Sequence, residues 1–414
     1  MSKRVKKSSL KIKSSDGDEF EINDKIVTKM ETLKAMTMLF ADDEEEQVPT
    51  CQIDGGSLRN VILWTDFQNN FKNMDLKDTF KMIKSSNYLG NKSLSEGMLK
   101  RAFLNNSDKD IDEAAKQIGD ATIIRLLYDF KRMNEVVVTY HSDKLKYYDS
   151  VKGQWITMTT IPVNVRSDKK VCVIKDRIYI IGLDDRTKLT NVAEYNAQTN
   201  IWRIVSGSFQ PVQDYYFSVR FLCSVGNKLY MESSSYAWSN GETSLKVFDL
   251  DKKDLHWNDL KSDEYYEDYD PIVCGADECF YLFNFLDGVK KYDVEQDQWI
   301  TLTNERPMHV FGTSVAELDG KIYVSGGGEE FNSLDCYDIS SNTWTRLANM
   351  NHGFQDSSYH SLIVKNGSLV VVGGDIGFIE EYDVANNTWT VKEENLDDKP
   401  CGGFIMRKYY LEPE

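Results

Sequence analysis

Apolar residues keep one rhythm over roughly the first third of this 414-residue chain and another over the rest. Leu10 with Ile12, and Phe20 with Ile22, alternate with polar neighbours, the two-residue period of half-buried strands. They predict strands over 10–13 and 19–22, joined at Ser14-Ser15-Asp16-Gly17, where Asp-Gly suits a hairpin. A helical stretch over 24–39 follows, then a solvated acidic loop from Asp42 to Glu46, then a third strand over 48–53. The spacing next changes to three and four. A helix over 56–68 sets Leu58, Val61, Ile62 and Thr65 on one face, with Trp64 beside it. A second, over 76–89, turns Leu76, Phe80, Ile83 and Tyr88 inward and stops at Gly90, a left-handed C-cap. A third, over 93–103, carries Leu94, Met98, Leu99 and Ala102. Asp108 caps a helix bearing Ile111, Ala114, Ala115 and Ile118, which Gly119 ends. Asp120 caps one more, aligning Ile123, Leu126, Leu127 and Phe130, and predicted to connect two domains over 119–134.

From residue 135 onward strand alternation takes over, and a longer period rides on it. An aromatic, an acidic or amide residue, a short polar turn and a tryptophan recur six times. The copies are Tyr148-Asp149 with Trp155, Tyr195-Asn196 with Trp202, Phe248-Asp249 with Trp257, Tyr292-Asp293 with Trp299, Tyr337-Asp338 with Trp344, and Tyr382-Asp383 with Trp389. The tryptophans lie 47, 55, 42, 45 and 45 residues apart. A period of that size marks small sheets that cannot bury their aromatics alone and must stack. Six copies predict a closed ring of six blades. The first copy lacks an opening strand before Glu135, and a strand-like segment over 404–411 stands at the other end. The count therefore predicts that 404–411 supplies the inner strand of the first blade and removes an exposed edge. The tryptophans are structural: each fills space between blades.

Charge is unevenly distributed. Residues 1–128 hold 20 Lys+Arg against 21 Asp+Glu, whereas residues 129–414 hold 29 against 45. An acidic ring disfavours a nucleic-acid partner, whose phosphates need Lys and Arg, and favours a basic protein or peptide. The seven cysteines are dispersed with no Cys-x-x-Cys pair, as buried thiols are in a reducing compartment. No run approaches the ~18 apolar residues of a membrane span. The expected location is cytosolic or nuclear, with residues 1–9 a basic tail. No cofactor is implied. The five histidines show no His-x-x-x-His spacing, and neither a Gly-x-Ser-x-Gly elbow nor a P-loop occurs, so an enzyme is not expected.

The string from Ile12 through Ser14, Ser15, Asp16, Gly17 and Phe20 to Ile22 resembles the opening of the Skp-type adaptors, the small BTB/POZ-fold subunits of cullin-RING ubiquitin ligases. Val48-Pro49, Val61-Ile62-Leu63-Trp64 and Asn87-Tyr88-Leu89 continue the resemblance in order over about residues 10–118. It implies an α/β domain whose helix ending in Asn87 and Tyr88 faces a cullin. In that family, C-terminal helices hold an F-box protein; here β repeats begin instead, so F-box binding is not implied. The eleven residues before Ile12 leave no room for the extra helix through which many BTB domains dimerise, and a monomer is expected.

The period, Tyr-Asp pair and Trp of residues 135–414 resemble kelch repeats, with full copies over 313–346 and 360–389. The diglycine of that motif stands at Gly326-Gly327 and Gly373-Gly374 and has decayed elsewhere. In kelch rings the loops after the diglycine position and those after each Trp strand emerge on one face. Here they hold Arg186, Tyr236, Trp238, Phe331 and Phe378, with Arg166, Tyr215, Tyr216, Arg306, His309, Phe354 and Tyr359. The acidic, aromatic run over 263–270 adds Tyr265 and Tyr266. Aromatics and Arg are the residues that anchor interfaces. The pair of resemblances implies a BTB–kelch adaptor that docks a cullin and holds a protein target. The alternatives are a kelch scaffold on actin or another cytoskeletal partner, and a decoy that occupies a cullin without delivering a target.

Overall fold

The computed structural model describes residues 9–39, 48–67, 74–106, 108–149, 152–165, 167–184, 190–209, 216–236, 242–252, 256–260, 272–275, 279–284, 288–303, 314–326, 331–354, 360–374, 377–394, 396 and 400–411. The chain divides into two compact units, the first ending at Met133 and the second starting at Asn134.

In the first unit, β1 (Ser9–Lys13) pairs antiparallel with β2 (Glu19–Asn23), setting Leu10 opposite Ile22 and Ile12 opposite Phe20. The turn between them is held by the Asp18 N–H donating to Ser14 Oγ at 2.9 Å, with Gly17 at φ +101°. The stretch over 24–39 forms two helices, α1 (Asp24–Val27) and α2 (Glu31–Leu39). Asn23 caps the first by accepting the Ile26 N–H at 3.0 Å, and the Thr28 hydroxyl turns back onto the Lys25 carbonyl where it ends. Such back-bonding competes with helix continuation. The strand expected over 48–53 is reduced to one parallel bridge, Lys13 to Thr50. Lys13 N–H donates to the Pro49 carbonyl and Cys51 N–H to the Lys13 carbonyl, but Pro49 has no N–H with which to extend a ladder.

Helices α3 (Gly55–Phe67), α4 (Leu76–Tyr88), α5 (Lys92–Asn105), α6 (Asp108–Ile118) and α7 (Ala121–Met133) complete the unit. Leu58, Val61, Phe80, Ile83, Leu94, Ile111 and Ile123 are buried in it. Phe130 stacks on Phe103 with centroids 5.7 Å apart, so α7 packs against α5.

The second unit holds six four-stranded antiparallel sheets. Blade 1 runs Gly402–Arg407, Glu135–Tyr140, Lys144–Asp149, Gln154–Thr160, so its first strand comes from the far end of the chain. Blade 2 runs Ser167–Ile174, Arg177–Leu183, Thr190–Asn196, Ile201–Phe209, and blade 3 runs Tyr216–Val225, Lys228–Tyr236, Glu242–Asp249, Trp257–Asp259. Blade 4 runs Ile272–Gly275, Cys279–Asn284, Gly288–Asp293, Gln298–Thr303. Blade 5 runs Ser314–Leu318, Lys321–Ser325, Leu334–Asp338, Thr343–Arg346, and blade 6 runs His360–Lys365, Ser368–Gly373, Phe378–Asp383, Thr388–Glu393. The segment expected as a strand over 404–411 stays extended only to Arg407. It then forms a one-turn helix, α8 (Lys408–Leu411), which buries Tyr409 and Tyr410 edge to face.

Why the repeat takes its form is visible in the turn between third and fourth strands. In every blade the aromatic sits directly across from the Trp, with ring centroids 5.0–5.4 Å apart. The adjacent Asp or Asn accepts N–H groups of the turn, as Asp338 does from Ser340 and Ser341 and Asp383 from Ala385 and Asn386. Five residues after the aromatic, Asn200, Asp297, Asn342 and Asn387 adopt φ of 50–55°. Each also accepts the hydroxyl proton of its own tyrosine: Tyr195, Tyr292, Tyr337 or Tyr382. Asn and Asp tolerate the left-handed conformation better than other side-chain-bearing residues. The tyrosine thus fills the core while pinning the turn.

Between blades, the third-strand aromatics form the centres of the apolar clusters. Tyr382 packs with Phe354, Phe378 and residues of blade 5, and Tyr292 with Phe221 and Tyr230 of blade 3. The indole N–H of Trp389 donates to the Ala348 carbonyl, that of Trp202 to Thr159 Oγ1, and that of Trp155 to Glu393 Oε2. Each reaches the blade before it, and the Trp155 bond joins blade 1 to blade 6. In blades 1, 2, 4 and 6 the fourth strand carries one extra residue three places after its Trp: Met158, Val205, Leu302 and Lys392.

Two of the turn carboxylates, Asp338 and Asp383, are held below the usual carboxylate range by donors of their own turns. The Ser340 hydroxyl and the Ser341 N–H favour the ionised form of Asp338 and lower its pKa from 3.8 to about 2. A carboxylate held lower in the folded chain contributes stability present above its unfolded value and lost as pH falls through its folded value. Between pH 3.8 and about 2, the melting temperature of Asp338→Asn should therefore fall less steeply than that of wild type. Equal slopes would show that the turn gives this carboxylate no special role.

Candidate binding surfaces

Helix α4 starts with Asp75 accepting the Asp78 N–H at 2.7 Å and ends at Leu89, after which Gly90 takes φ +71°. A Cβ at Gly90 would stand 2.8 Å from that of Glu31, so both conformation and space favour glycine there. The helix end presents the two residues carried over from the Skp resemblance in different ways. Asn87 is exposed. Tyr88 is partly buried, its carbonyl accepting the Thr32 hydroxyl proton at 2.6 Å and its hydroxyl the Gln52 N–H at 3.4 Å. Tyr88 therefore ties the end of α4 to α2 and to the 50–53 segment, leaving Asn87 the more accessible of the pair.

On the propeller, the loop after the second strand and the loop after the fourth are hydrogen-bonded to one another. In blade 5, Leu347 N–H donates to the Leu334 carbonyl, Met350 N–H to Asn332 and Phe354 N–H to Phe331, at 2.7–3.0 Å. In blade 6, Leu396 N–H donates to Gly377, and in blade 1, Ile161 N–H donates to Asp143. These bonds build a rim at one end of the sheets.

Over blades 5 and 6 the rim is clamped by a buried carboxylate. Glu380, 0% exposed, accepts the N–H of Asn351 at 2.9 Å, Asn351 Nδ2 at 3.0 Å and the N–H of His352 at 2.7 Å, and pairs with His352 Nδ1 at 2.6 Å. His352 Nε2 lies 3.4 Å from the half-exposed Glu394. Beneath the loop four rings stack in series: His352 on Phe378 at 4.8 Å, Phe378 on Phe354 at 5.2 Å, and Phe354 on His360 at 3.6 Å. Burying a carboxylate is tolerated when its lone pairs are filled, and here they fix the 351–354 loop.

Phe354 and Phe378, expected as loop residues offered to a partner, are 1% and 0% exposed. Phe378 shares the inward face of its strand with Glu380 and Tyr382, and Phe354 is drawn under the loop by the stack. Phe331 sits partly buried in the turn that receives Phe354 N–H. Tyr216 and Tyr236 are cross-strand partners at the end of the first hairpin of blade 3. Arg166, Arg186, Tyr215, Trp238, Tyr265, Tyr266, Arg306, His309 and Tyr359 lie outside the described residues. The sequence reading passed over Glu380, Asn351 and His352. Glu380 left one signal, an acid two places before the repeat tyrosine on the face that otherwise buries apolar side chains.

Among the described residues no group of three or more His, Cys, Asp or Glu is placed to hold a metal, and no helix is long and apolar enough to cross a membrane.

Comparison with known proteins gives matches in both units. Residues 8–70 match the Skp1 family, tetramerisation domain, and residues 310–351 match the Kelch motif. The chain thus joins a Skp1/POZ-type domain to a six-bladed kelch propeller. It is similar to Kelch-like protein 41a of Danio rerio, 32% identical over 123 residues, and to Kelch-like protein 28 of Homo sapiens, 33% identical over 115. Those matches cover 28% and 25% of this chain and 20% and 19% of the relatives, about a fifth of their length. Kelch-like protein 24 of Rattus norvegicus is 23% identical over 235 residues, 55% of this chain and 36% of that one. A solved structure described as that of YjhT aligns with a TM-score of 0.49 at 14% identity, covering 63% of this chain and 95% of that chain.

Proposed function

We propose that this protein is a substrate-recruiting adaptor of a cullin-RING ubiquitin ligase, with its first unit docking the cullin and its propeller holding a protein target. The observation that carries the reading is the union, in one chain, of a Skp1-family segment at residues 8–70 with a kelch ring. The chemistry belongs to the recruited machinery. The adaptor contributes proximity, raising the effective concentration of target lysines near the charged carrier. The Skp likeness favours the Skp-class cullin, and the exposed Asn87 at the end of α4 is the contact to test first. The acid excess of residues 129–414 favours a basic target. Rim loops clamped onto strands suit recognition, because rigid contacts lose less entropy on binding.

Affinity capture tests this. A cullin should be recovered with the wild-type chain and lost with Asn87→Lys/Tyr88→Lys, while the isolated propeller keeps the target. A cullin absent from both captures would sink the ligase reading in favour of a scaffold. Cullin bound by wild type, with no ubiquitin transferred to a captured target by the assembled ligase, would mark a decoy.

A further inference from the structure

The ring is closed without a covalent link. In blades 2, 3, 5 and 6 a tight turn ties the first strand to the second, as between Lys365 and Ser368. Blade 1 has no such turn: its first strand, Gly402–Arg407, reaches its neighbour from the far end of the chain. We infer that this closing strand is a latched strap whose release opens the ring, and that the Glu135 carboxylate is the latch.

Glu135 and Arg407 are the last cross-strand pair of the seam. Glu135 Oε1 accepts Arg407 Nη1 at 2.7 Å, across 272 residues of sequence. Its other oxygen, Oε2, accepts the N–H of Asn366 at 2.7 Å, in the turn joining the first two strands of blade 6. One carboxylate, at the start of the second strand of blade 1, therefore holds both the end of the strap and the neighbouring blade. Both side chains are sheltered, at 12% and 14% exposure, where a charge-assisted pair escapes the screening that weakens surface pairs. One residue further on, Lys408 N–H donates to the Asn134 carbonyl at 2.7 Å.

The opposite end of the strap is held by close fit. Gly402 takes φ +152°, and a Cβ there would stand 2.5 Å from Ser361 Oγ and 2.6 Å from the Tyr140 hydroxyl. Between the two ends, Phe404 and Ile405 are half-buried, and Met406, at 2% exposure, is the strap's one fully buried apolar side chain. With no hairpin to hold it, the strap can leave without unfolding another strand, which makes this seam the cheapest place for the ring to open. Release would bare Val136, Val137 and Val138 on an unpaired edge.

Hydrogen exchange on the full chain, read by mass spectrometry, tests the latch with Glu135→Gln, Arg407→Met and the charge swap Glu135→Arg/Arg407→Glu. In the two single variants, amides of 136–140 and 403–407 should exchange on the order of tenfold faster or more, with the second strands of blades 3 and 4 unchanged. The swap should recover part of the protection, since it restores the pair but not an acceptor for Asn366. Seam amides as slow as in wild type in both single variants would overturn the proposal. So would loss of protection in all six blades together, which marks global destabilisation. If a single variant fails to fold, Arg407→Lys supplies a milder test, with the same seam-only pattern expected.

Discussion

Tyr337→Ala should cost about 3–5 kcal/mol of folding stability, measurable as a drop in the urea midpoint. The ring is fully buried, lies 5.1 Å from Trp344 and meets Phe283 of blade 4 at 6.4 Å, edge to face. Truncation removes the wedge between two blades and leaves a cavity that strands tied on both sides cannot collapse to fill. Tyr337→Phe separates the two roles of the residue. It keeps the wedge and loses only the hydroxyl bond to Asn342 at 2.7 Å, for about 1 kcal/mol. If alanine and phenylalanine proved equally mild, the blades would not be held apart by this ring. A domain is typically stable by only about 5–15 kcal/mol, so the alanine variant should approach the limit of folding.

Glu380→Ala should have the second large effect, about 3–5 kcal/mol, and it should act locally first. Removing the carboxylate leaves two backbone N–H groups, the Asn351 amide and the His352 imidazole without their shared acceptor. Amides of 351–354 should lose exchange protection while the third strand of blade 5 keeps its own. Target capture by the propeller should weaken in proportion if this stretch of rim is a contact. Unchanged protection at Asn351 and His352 would show that the loop is ordered by the ring stack alone.

The large period was legible in the sequence because only large aromatic rings, Tyr or Phe opposite Trp, fill the space where blades meet. The strap was legible by counting strands, although Lys408–Leu411 turns helical once the ladder ends at Arg407. Other features hid behind interactions between segments distant in sequence. The segment over 48–53 looks like a strand in isolation, but it pairs through one bridge, Lys13 to Thr50, and Pro49 has no N–H with which to lengthen that ladder on its side. Phe354 looks like a surface anchor until His360 and Phe378 are placed on either side of it. Asn342 and its counterparts could have been found, since the fifth place after the aromatic is Asn or Asp in four copies. At that place blade 1 has Gly153, at φ +63°, which needs no side chain to reach the same turn conformation.

The extra residues Met158, Val205, Leu302 and Lys392 have a consequence for how these molecules behave in a crowd. Six outermost strands face outward around the circumference, each a potential template for a strand of another molecule. A surplus residue kinks the edge and breaks the regular spacing of its unpaired N–H and C=O groups. Straightening that kink by deletion, for instance of Met158, would leave a flat outer margin prone to end in fibres and precipitate.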